Sequence, residues 1–444
     1  MISTLFSLST VFTPPTTTST ISLISFFFFV FQSRTRYIKT NDRLIRRKGT
    51  TMKVIFSKPA LLEGLVPTMS TVSSKNTITP IEGILIETIG ETSVRLSSYD
   101  MNKGMRTTIE AISIIEEGSC IINAQRLLQI VKLLGEDEIT LEVGSDHKAS
   151  ISAGASSFSL QSLPGTDFPN LPELSGDTGF SVPATVLKRM IGKVLHSIAE
   201  QDSRQMLCGA FFTVEGKQMD IVSCDGYTLS KCHVESEIQD IGRISSTHFS
   251  FIIPGHALNE MIRILPDKEE ETKIYLSRKH AIMELKDMIF FTRMIDSDYM
   301  DYQRILPKAQ DIFVKIDRAR LMEGLERANL VAEEKIQGNG KSYVKIEIKG
   351  NKFSLSSNSV NGYVYDEMEC EHEGEDIAIG FNCRFLINSI RAAEGKRIYM
   401  TLKSPTQSIT VEPVEEEWDE KDGFRYFYMI LPVRMNEQPT AEEE

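Results

Sequence analysis

Residues 180–199 read FSVPATVLKRMIGKVLHSIA, a short apolar strand that runs directly into an amphipathic helix. The predicted helix covers 184–199, where apolar side chains recur at helical spacing and form one continuous stripe. Basic side chains lie elsewhere on its surface. The stripe comprises Leu187, Met190, Ile191, Val194, Leu195 and Ile198.

This pattern of a strand followed by a helix occurs six times in the chain, as three pairs spaced roughly 130 residues apart. A pair of that length is a whole domain, so the spacing predicts a tandem array of three copies. The length of the chain also suits about three domains of common size. The six strands begin at Val54, Cys120, Phe180, Phe251, Phe313 and Ile377.

Alternating apolar residues between the helices predict antiparallel sheets with one buried face. The clearest hairpin has strands at 344–348 and 353–355, joined by a turn at Gly350-Asn351. The predicted fold is therefore α+β, with two helices packed on antiparallel sheets in each copy. We place the first copy at 52–177, the second at 178–308 and the third at 309–436, followed by an acidic tail at 437–444.

Residues 1–51 differ from the rest of the chain and are rich in Ser, Thr and Phe. Their apolar run at 26–31 is short for a membrane span and no basic residue precedes it, so a signal anchor is the less favoured alternative. We expect an N-terminal extension that lies outside the three copies and is disordered or poorly packed. No membrane partner is predicted.

The six cysteines are scattered through the chain without a C-x-x-C pair, and the seven histidines are equally dispersed. This pattern favours neither a disulfide framework nor a zinc site, and it fits a reducing cytoplasm. No metal and no other cofactor is predicted.

The formal net charge of -12 is unevenly distributed, because residues 1–51 carry +6 and the remainder therefore carries -18. An acidic body argues against general binding to phosphate backbones. The six predicted helices nevertheless hold eleven Lys/Arg against six Asp/Glu. Any nucleic-acid contact is therefore expected on the helices, and the alternative is that their basic faces are merely solvated.

Several short motifs follow one another in a fixed order through the three copies. They are MKVIF at 52–56, SLP at 162–164, DFPNL at 167–171, DG at 225–226 with Leu229, DY at 301–302, LP at 306–307, GFN at 380–382 and LPVRM at 431–435. In this order and spacing they resemble the bacterial sliding clamp, the beta subunit of DNA polymerase III. The resemblance runs from Met52 to about Met435 and covers all three copies.

The resemblance implies a ring of two chains joined head to tail, with helices lining the hole and sheets forming the rim. Such a ring closes without a free edge. Its basic helices are expected to contact duplex DNA without reading sequence. The implied partners are double-stranded DNA, a second copy of the chain, the DNA polymerase III alpha subunit, the clamp loader and other proteins with a clamp-binding motif.

The resemblance also implies a pocket between the second and third copies that binds a short linear peptide through Leu and Phe anchors. Ordinary core packing is the alternative role for these positions. The implied pocket residues are Leu207, Gly226, Tyr227, Leu229, Arg304, Ile305, Asn382, Phe385, Met429, Leu431, Pro432, Val433, Arg434 and Met435.

Two further sets of residues follow from the resemblance by position. The subunit interface is expected to pair Phe158 and Leu160 with Leu330 and Val331. The chain departs from the family where some members carry His and Arg after Asp-Gly, and where aromatic residues can follow Arg204. Here these positions are Tyr227-Thr228 and Gln205-Met206. The expected DNA-facing residues are Lys75, Arg126, Lys188, Arg189, Lys193, Gln201 and Arg204.

Two patterns that suggest catalysis do not meet the requirements of the chemistry. The sequence at 338–342, GNGKS, has Lys335 where a phosphate-binding loop needs Gly. Cys224 precedes an acid, but no histidine has a spacing that supports a thiol nucleophile. We therefore predict a clamp without a catalytic site. The alternatives are a peptide-binding adaptor that does not encircle DNA and, less favoured, a hydrolase.

Overall fold

The strand-helix repeat appears in the structure as three pairs of helices, each pair packed on antiparallel strands. This computed structural model describes residues 52–73, 79–174, 176–244, 246, 248–332, 343–359, 362–415 and 423–435. Lys75, the sequence at 338–342 and residues 1–51 lie outside the described part of the chain.

Each copy contributes two helices whose apolar stripes face the core. Ser57, Asn123 and Asn382 each cap a helix by accepting a backbone N–H within its first turn. The helices are α1 (Lys58–Thr68), α2 (Ala124–Leu133), α3 (Ala184–Val194), α4 (Gly255–Ile264), α5 (Arg318–Ala332) and α6 (Cys383–Ala392).

The third helix is shorter than the predicted range 184–199. α3 ends at Val194, a 3-10 turn follows at Leu195–Ser197, and Ile198 is extended. The polar side chains of His196 and Ser197 turn inward at this point and form buried hydrogen bonds with Ser230. These bonds join residues 33 and 34 positions apart, so tertiary packing favours the end of the helix at this point.

The described residues of the first copy form ten strands. They are β1 (Met52–Ser57), β2 (Gly83–Ile89), β3 (Ser93–Tyr99), β4 (Lys103–Glu110), β5 (Ser113–Glu116), β6 (Ser119–Asn123), β7 (Glu138–Val143), β8 (Lys148–Ala153), β9 (Ser156–Gln161) and β10 (Leu163–Pro164). The second copy contains β11 (Thr178–Pro183), β12 (Gly209–Glu215), β13 (Gln218–Cys224), β14 (Thr228–Glu235), β15 (Gln239–Asp240), β16 (His248–Pro254), β17 (Glu271–Leu276), β18 (His280–Leu285) and β19 (Met288–Arg293).

The third copy repeats the arrangement, and its first hairpin is the one predicted from the sequence. Gly350 forms the turn with a φ of 51°, a conformation that favours glycine. The strands are β20 (Ile312–Asp317), β21 (Val344–Lys349), β22 (Lys352–Asn358), β23 (Tyr363–Glu369), β24 (Glu371–Glu373), β25 (Ile377–Phe381), β26 (Arg397–Leu402), β27 (Ile409–Pro413) and β28 (Phe424–Ile430).

Two of the four sheets run across the junctions between copies. A ten-stranded sheet joins the first copy to the second by pairing β4 with β19, and a nine-stranded sheet joins the second to the third by pairing β14 with β28. The remaining sheets have five strands in the first copy and four in the third. The copies are thus fused edge to edge, and the two smaller sheets end in the strands β9 and β23.

Candidate functional site

A cavity of about 300 Å³ opens between the second and third copies. It lies where the turn before β14, a 3-10 turn at Gln205–Cys208, the segment before β20 and the end of β28 meet. The lining residues are Arg204, Leu207, Cys224, Gly226, Tyr227, Thr228, Met300, Ile305, Ser408, Met429 and Leu431.

The turn at 225–228 forms one wall of this cavity. Asp225 Oδ1 accepts the backbone N–H groups of Tyr227 and Thr228, over 2.8 Å and 2.6 Å. Gly226 between them has a φ of 90°, which L side chains rarely adopt. Local sequence therefore fixes the turn and directs the Tyr227 side chain outward.

The floor of the cavity is apolar core. Leu229 on β14 lies opposite Met429 on β28, and both side chains are buried together with Leu207. Leu229 is therefore a supporting residue beneath the cavity surface. Both Leu229 and Leu207 are fully buried, as the alternative of ordinary core packing requires. Leu207 in addition lines the cavity.

The rim of the cavity exposes large apolar side chains. Tyr227 is 62% exposed and stacks on Phe385 of α6, with ring centroids 5.6 Å apart. Ile305 and Leu431 also remain exposed. Exposed apolar side chains around a concave surface are typical of sites that bind protein segments.

Residues 431–435, which follow β28, extend this surface toward β25. Leu431 N–H donates to Tyr227 O over 2.9 Å, and Val433 N–H donates to Gly380 O over 2.8 Å. Met435 lies beside Gly380, while Pro432 is half-buried and Arg434 is exposed. Asn382 is used to cap α6, and Arg304 is paired with Asp301 over 2.7 Å at the surface. The predicted residues are thus brought together, some on the cavity and some beside it.

Five cavity residues were not assigned to the pocket from the sequence. Cys224 and Thr228 belong to the turn whose central residues were assigned, and Met300 directly precedes the Asp301-Tyr302 motif. Ser408 had no sequence signal, because it reaches the site only through the pairing of β27 with β28. Arg204, expected to face DNA, lines the cavity instead and is held by Asp202 through two bonds of 3.0 Å.

Cys224 has the environment of a structural thiol. Its side chain is buried, and burial raises its pKa above the usual range. A raised pKa disfavours the thiolate that acts as a nucleophile. This environment gives no support to the hydrolase alternative.

Two of the basic residues expected to face DNA form an ion cluster between the second and third copies. Arg189 Nη2 and Lys193 Nζ each lie 2.6 Å from an oxygen of Glu394, and the Arg189 guanidinium lies 3.9 Å from the centre of the Phe424 ring. Burial alone would raise the pKa of Glu394, but the hydrogen bonds from these cations outweigh burial and lower it. Burial lowers the pKa of Lys193, despite Glu394. The cationic face of α3 is thus divided between the junction and the surface.

The other described residues expected to face DNA lie at the surface of the helices and their loops. Lys188 Nζ contacts Asp267 over 2.6 Å, while Arg126 on α2 and Gln201 after α3 are exposed. Arg391 on α6 is also exposed and lies 3.3 Å from Glu326.

The residues expected at the subunit interface lie on one strand of the first copy and one helix of the third. Phe158 and Leu160 lie on β9, and Leu330 and Val331 lie at the end of α5. Phe158 and Leu330 are exposed, the latter to 77%. Three further exposed apolar residues of these two copies were not anticipated: Leu133 on α2, and Tyr363 and Tyr365 on β23.

The junction of the first and second copies has the same turn but a filled interior. Asp100 Oδ1 accepts two backbone N–H groups as Asp225 does, and Met101 has a φ of 77° where Gly226 has its positive φ. Gly104, which corresponds to Leu229, admits the Phe291 ring, which would lie 2.3 Å from a Cβ at this position. Phe291 also packs on Tyr99 with ring centroids 5.5 Å apart. Aromatic side chains therefore fill the core at the positions that correspond to the floor beneath the cavity.

Comparisons with known proteins match this architecture copy by copy. Sequence profiles of the DNA polymerase III beta subunit match its N-terminal domain to residues 52–172, its central domain to 181–301 and its C-terminal domain to 303–424. The chain belongs to the DNA polymerase III beta subunit family. It is therefore a DNA polymerase sliding clamp, a processivity factor built from three tandem clamp domains.

Individual relatives agree over most of the clamp. The beta sliding clamps of Haemophilus influenzae and Proteus mirabilis are 25% and 27% identical, over 86% of this chain and 100% of each relative. Among solved structures, the Pseudomonas aeruginosa clamp bound to griselimycin is 25% identical with a TM-score of 0.78, over 87% of this chain and 100% of that one. A DNA polymerase III beta subunit from Eubacterium rectale is 26% identical with a TM-score of 0.77, over 86% and 100%.

Two further properties of the described residues bear on other classes of function. None of the helices in this part of the chain is long and apolar enough to cross a membrane. Nor do the described His, Cys, Asp and Glu side chains form a group of three or more that suits a metal ion.

Proposed function

We propose that two copies of this clamp close head to tail into a ring through β9 of one chain and β23 of the other. The observation that carries this proposal is the open edge of each smaller sheet, formed by β9 in the first copy and by β23 in the third. Five strands and four strands would together form a sheet of nine, the size of the sheet at the second junction. Closure would remove both free edges and cover the exposed Phe158, Leu330, Tyr363 and Tyr365.

The helices would then face the DNA that passes through the ring. Arg126, Lys188 and Gln201 are the accessible members of the predicted set, with Arg391 as an addition from the structure. Arg189 and Lys193 instead hold the second junction through Glu394. Few and exposed cations on an acidic chain suit contact that is weak, sequence-independent and sensitive to salt.

The cavity beside Tyr227 would tether the polymerase and other proteins through a short peptide. Its apolar floor suits a leucine side chain, and the exposed Tyr227 and Phe385 pair suits an aromatic one. The alpha subunit of the polymerase, the clamp loader and repair proteins that carry such a motif are the proposed partners.

Encirclement is tested by loading the clamp onto nicked circular DNA and then linearising it. A ring is retained on the circle and lost from the linear ends, whereas a simple DNA-binding protein is retained equally on both. Equal retention, or loss from both, contradicts encirclement. Sedimentation of the protein without DNA provides an independent check, because the ring requires a dimer.

A further inference from the structure

A series of buried hydroxyl groups connects the wall of the cavity to the histidine that follows α3. Thr228 Oγ1 donates to Ser197 Oγ over 2.9 Å, and Ser197 Oγ lies 2.7 Å from Ser230 Oγ. Ser230 Oγ in turn lies 3.1 Å from His196 Nε2. All three hydroxyl side chains are buried. Because buried hydroxyl groups are satisfied by neighbouring polar groups, each member of this series holds the next one in place.

His196 lies where the second and third copies meet. Its Nε2 also lies 3.3 Å from Ser389 Oγ on α6, and its ring meets the Tyr428 ring of β28 edge-on with centroids 5.1 Å apart. The imidazole ring of His196 borders a second cavity, of about 1210 Å³, on the side of the helices. His196 therefore contacts α6 and β28 of the third copy and the hydroxyl series of the second.

The far end of the series determines the shape of the cavity wall. Thr228 lines the cavity, and its backbone N–H is held by Asp225 while its hydroxyl is held by Ser197. Tyr227, directly before it, forms the exposed aromatic wall. Losing the hydroxyl bond frees the rotamer of Thr228 and removes one of the hydrogen bonds that fix the turn.

We propose that His196 is a positioning residue for the peptide site and acts through Ser230, Ser197 and Thr228. This inference rests on the proposed role of the cavity as a peptide site. It assigns to the junction between the second and third copies a function besides cohesion: α6 and β28 fix His196, and His196 fixes the wall that meets the partner. The affinity for a peptide that contacts this wall would therefore depend on how the second and third copies pack together.

The test measures binding of a fluorescein-labelled peptide with leucine and phenylalanine anchors to the full-length protein by fluorescence anisotropy. His196→Leu keeps the bulk of the side chain but removes Nε2, and Ser230→Ala removes the next link. Each is expected to weaken binding about fivefold or more, the loss of roughly one buried hydrogen bond. His196→Gln places a polar group near the position of Nε2 and is expected to bind within about twofold of the unchanged protein.

A matched control separates positioning from general loosening. Ser98→Ala removes a buried hydroxyl of the first copy that donates to Thr68 O, and it is expected to leave peptide binding unchanged. A double variant, His196→Leu with Thr228→Val, is expected to bind no more weakly than the weaker single variant, because both changes break one series. Additive losses would overturn the proposal, as would unchanged binding in His196→Leu or loss of binding in His196→Gln.

Failure of the underlying function gives a different result. If the cavity is not a peptide site, the unchanged protein does not bind the peptide, or Leu431→Asp at the rim binds as well as the unchanged protein. Variants that fold poorly are recognised by circular dichroism. Ser197→Ala then replaces them, because it breaks the same series without altering the contacts of His196 with α6 and β28.

Discussion

Lys193 and Glu394, which are 201 positions apart in the sequence, form an ion pair of 2.6 Å across the second junction. The lysine side chain is only 9% exposed and also donates to Ala392 O over 2.5 Å. Arg189 shares the same carboxylate, and Tyr426 donates its hydroxyl to Glu394 O over 2.8 Å. One carboxylate thus pairs with two cations from α3 and ties them to the segment after α6.

Glu394→Gln is expected to destabilise this junction, because it leaves Lys193 buried without a counter-charge. Breaking one partner of a buried pair costs several kcal/mol, and the partial exposure of Glu394 reduces the expected cost to about 2–3 kcal/mol. Hydrogen exchange of amides in α3 and α6 measures the local opening. Glu367→Gln, which removes the exposed pair with Lys352, is the control and should alter stability by less than about 1 kcal/mol.

The stability of the clamp is expected to rise with pH between about 4 and 6.5 through His196. Burial, aided by the charge of Lys193, lowers the pKa of His196 from 6.5 to about 4. In this window the unfolded chain binds a proton at His196 and the folded chain does not, so raising the pH favours folding. The effect amounts to at most about 3 kcal/mol.

Denaturant midpoints measured across this pH range for the unchanged protein and His196→Gln check the effect. Burial also lowers the pKa of His256 and His280, but both proteins share those residues. The difference between the two proteins should therefore widen toward pH 6.5 in favour of the unchanged one. A difference that does not vary with pH would show that His196 titrates normally in the folded protein.

Leu431→Asp is expected to weaken peptide binding at least about tenfold, because it places a charge on the apolar rim of the cavity. Its effect on folding should be small, since the side chain is 40% exposed. Anisotropy with the labelled peptide and thermal unfolding report the two properties separately. Ile115→Asp, at an exposed apolar position in the first copy, is the control and should retain full binding.

Phe158→Asp and Leu330→Asp are each expected to convert the ring into monomers at micromolar concentration. A hot-spot residue contributes about 2 kcal/mol or more, so each change should raise the dissociation constant at least about 30-fold. Analytical ultracentrifugation measures the constant. Ile112→Asp introduces the same charge at another exposed position of the first copy and should leave the dimer intact.

Arg126→Glu combined with Lys188→Glu is expected to shorten the residence of the clamp on DNA. If each cation neutralises one phosphate, the slope of log affinity against log salt should fall by about two. Lys148→Glu, at the start of β8, combined with Lys217→Glu, in the turn after β12, makes the same change of charge away from the helices and serves as the control. Equal behaviour of the two double variants would favour a peptide-binding adaptor. Arg189 and Lys193 are unsuited to this test, because reversing their charge breaks the junction.

The three copies and their helices were predictable because apolar spacing reports which face of an element is buried. Asn123 and Asn382 cap their helices locally, so the starts of these helices depend on nearby sequence. The end of α3 was not predicted correctly, because the hydrogen bond of Ser197 with Ser230 depends on tertiary packing. The burial of Lys193 was missed for the same reason: helical spacing places it outside the apolar stripe, and only the distant Glu394 explains why it lies inside.

The cavity residues divide along the same line. Gly226 and Leu431 belong to recognisable motifs, and Tyr227 and Ile305 directly adjoin such motifs, whereas Ser408 enters by strand pairing. Arg204 was assigned to DNA by its position in the family resemblance, yet its own bonds to Asp202 hold it beside Gly226. Sequence spacing identifies positions along an element, but not which neighbour a long side chain selects.

The difference between the two junctions bears on how many partners the proposed ring can hold. Such a ring has two intervals between first and second copies, two between second and third, and two where the chains meet. In the described residues the cavity lies between the second and third copies, whereas Phe291 fills the space beside Gly104 at the first junction. If each cavity binds one peptide, as we propose, the ring would hold two. A third protein with the same motif would then wait for one of them to dissociate, and the order in which proteins use the ring would follow their dissociation rates and relative concentrations.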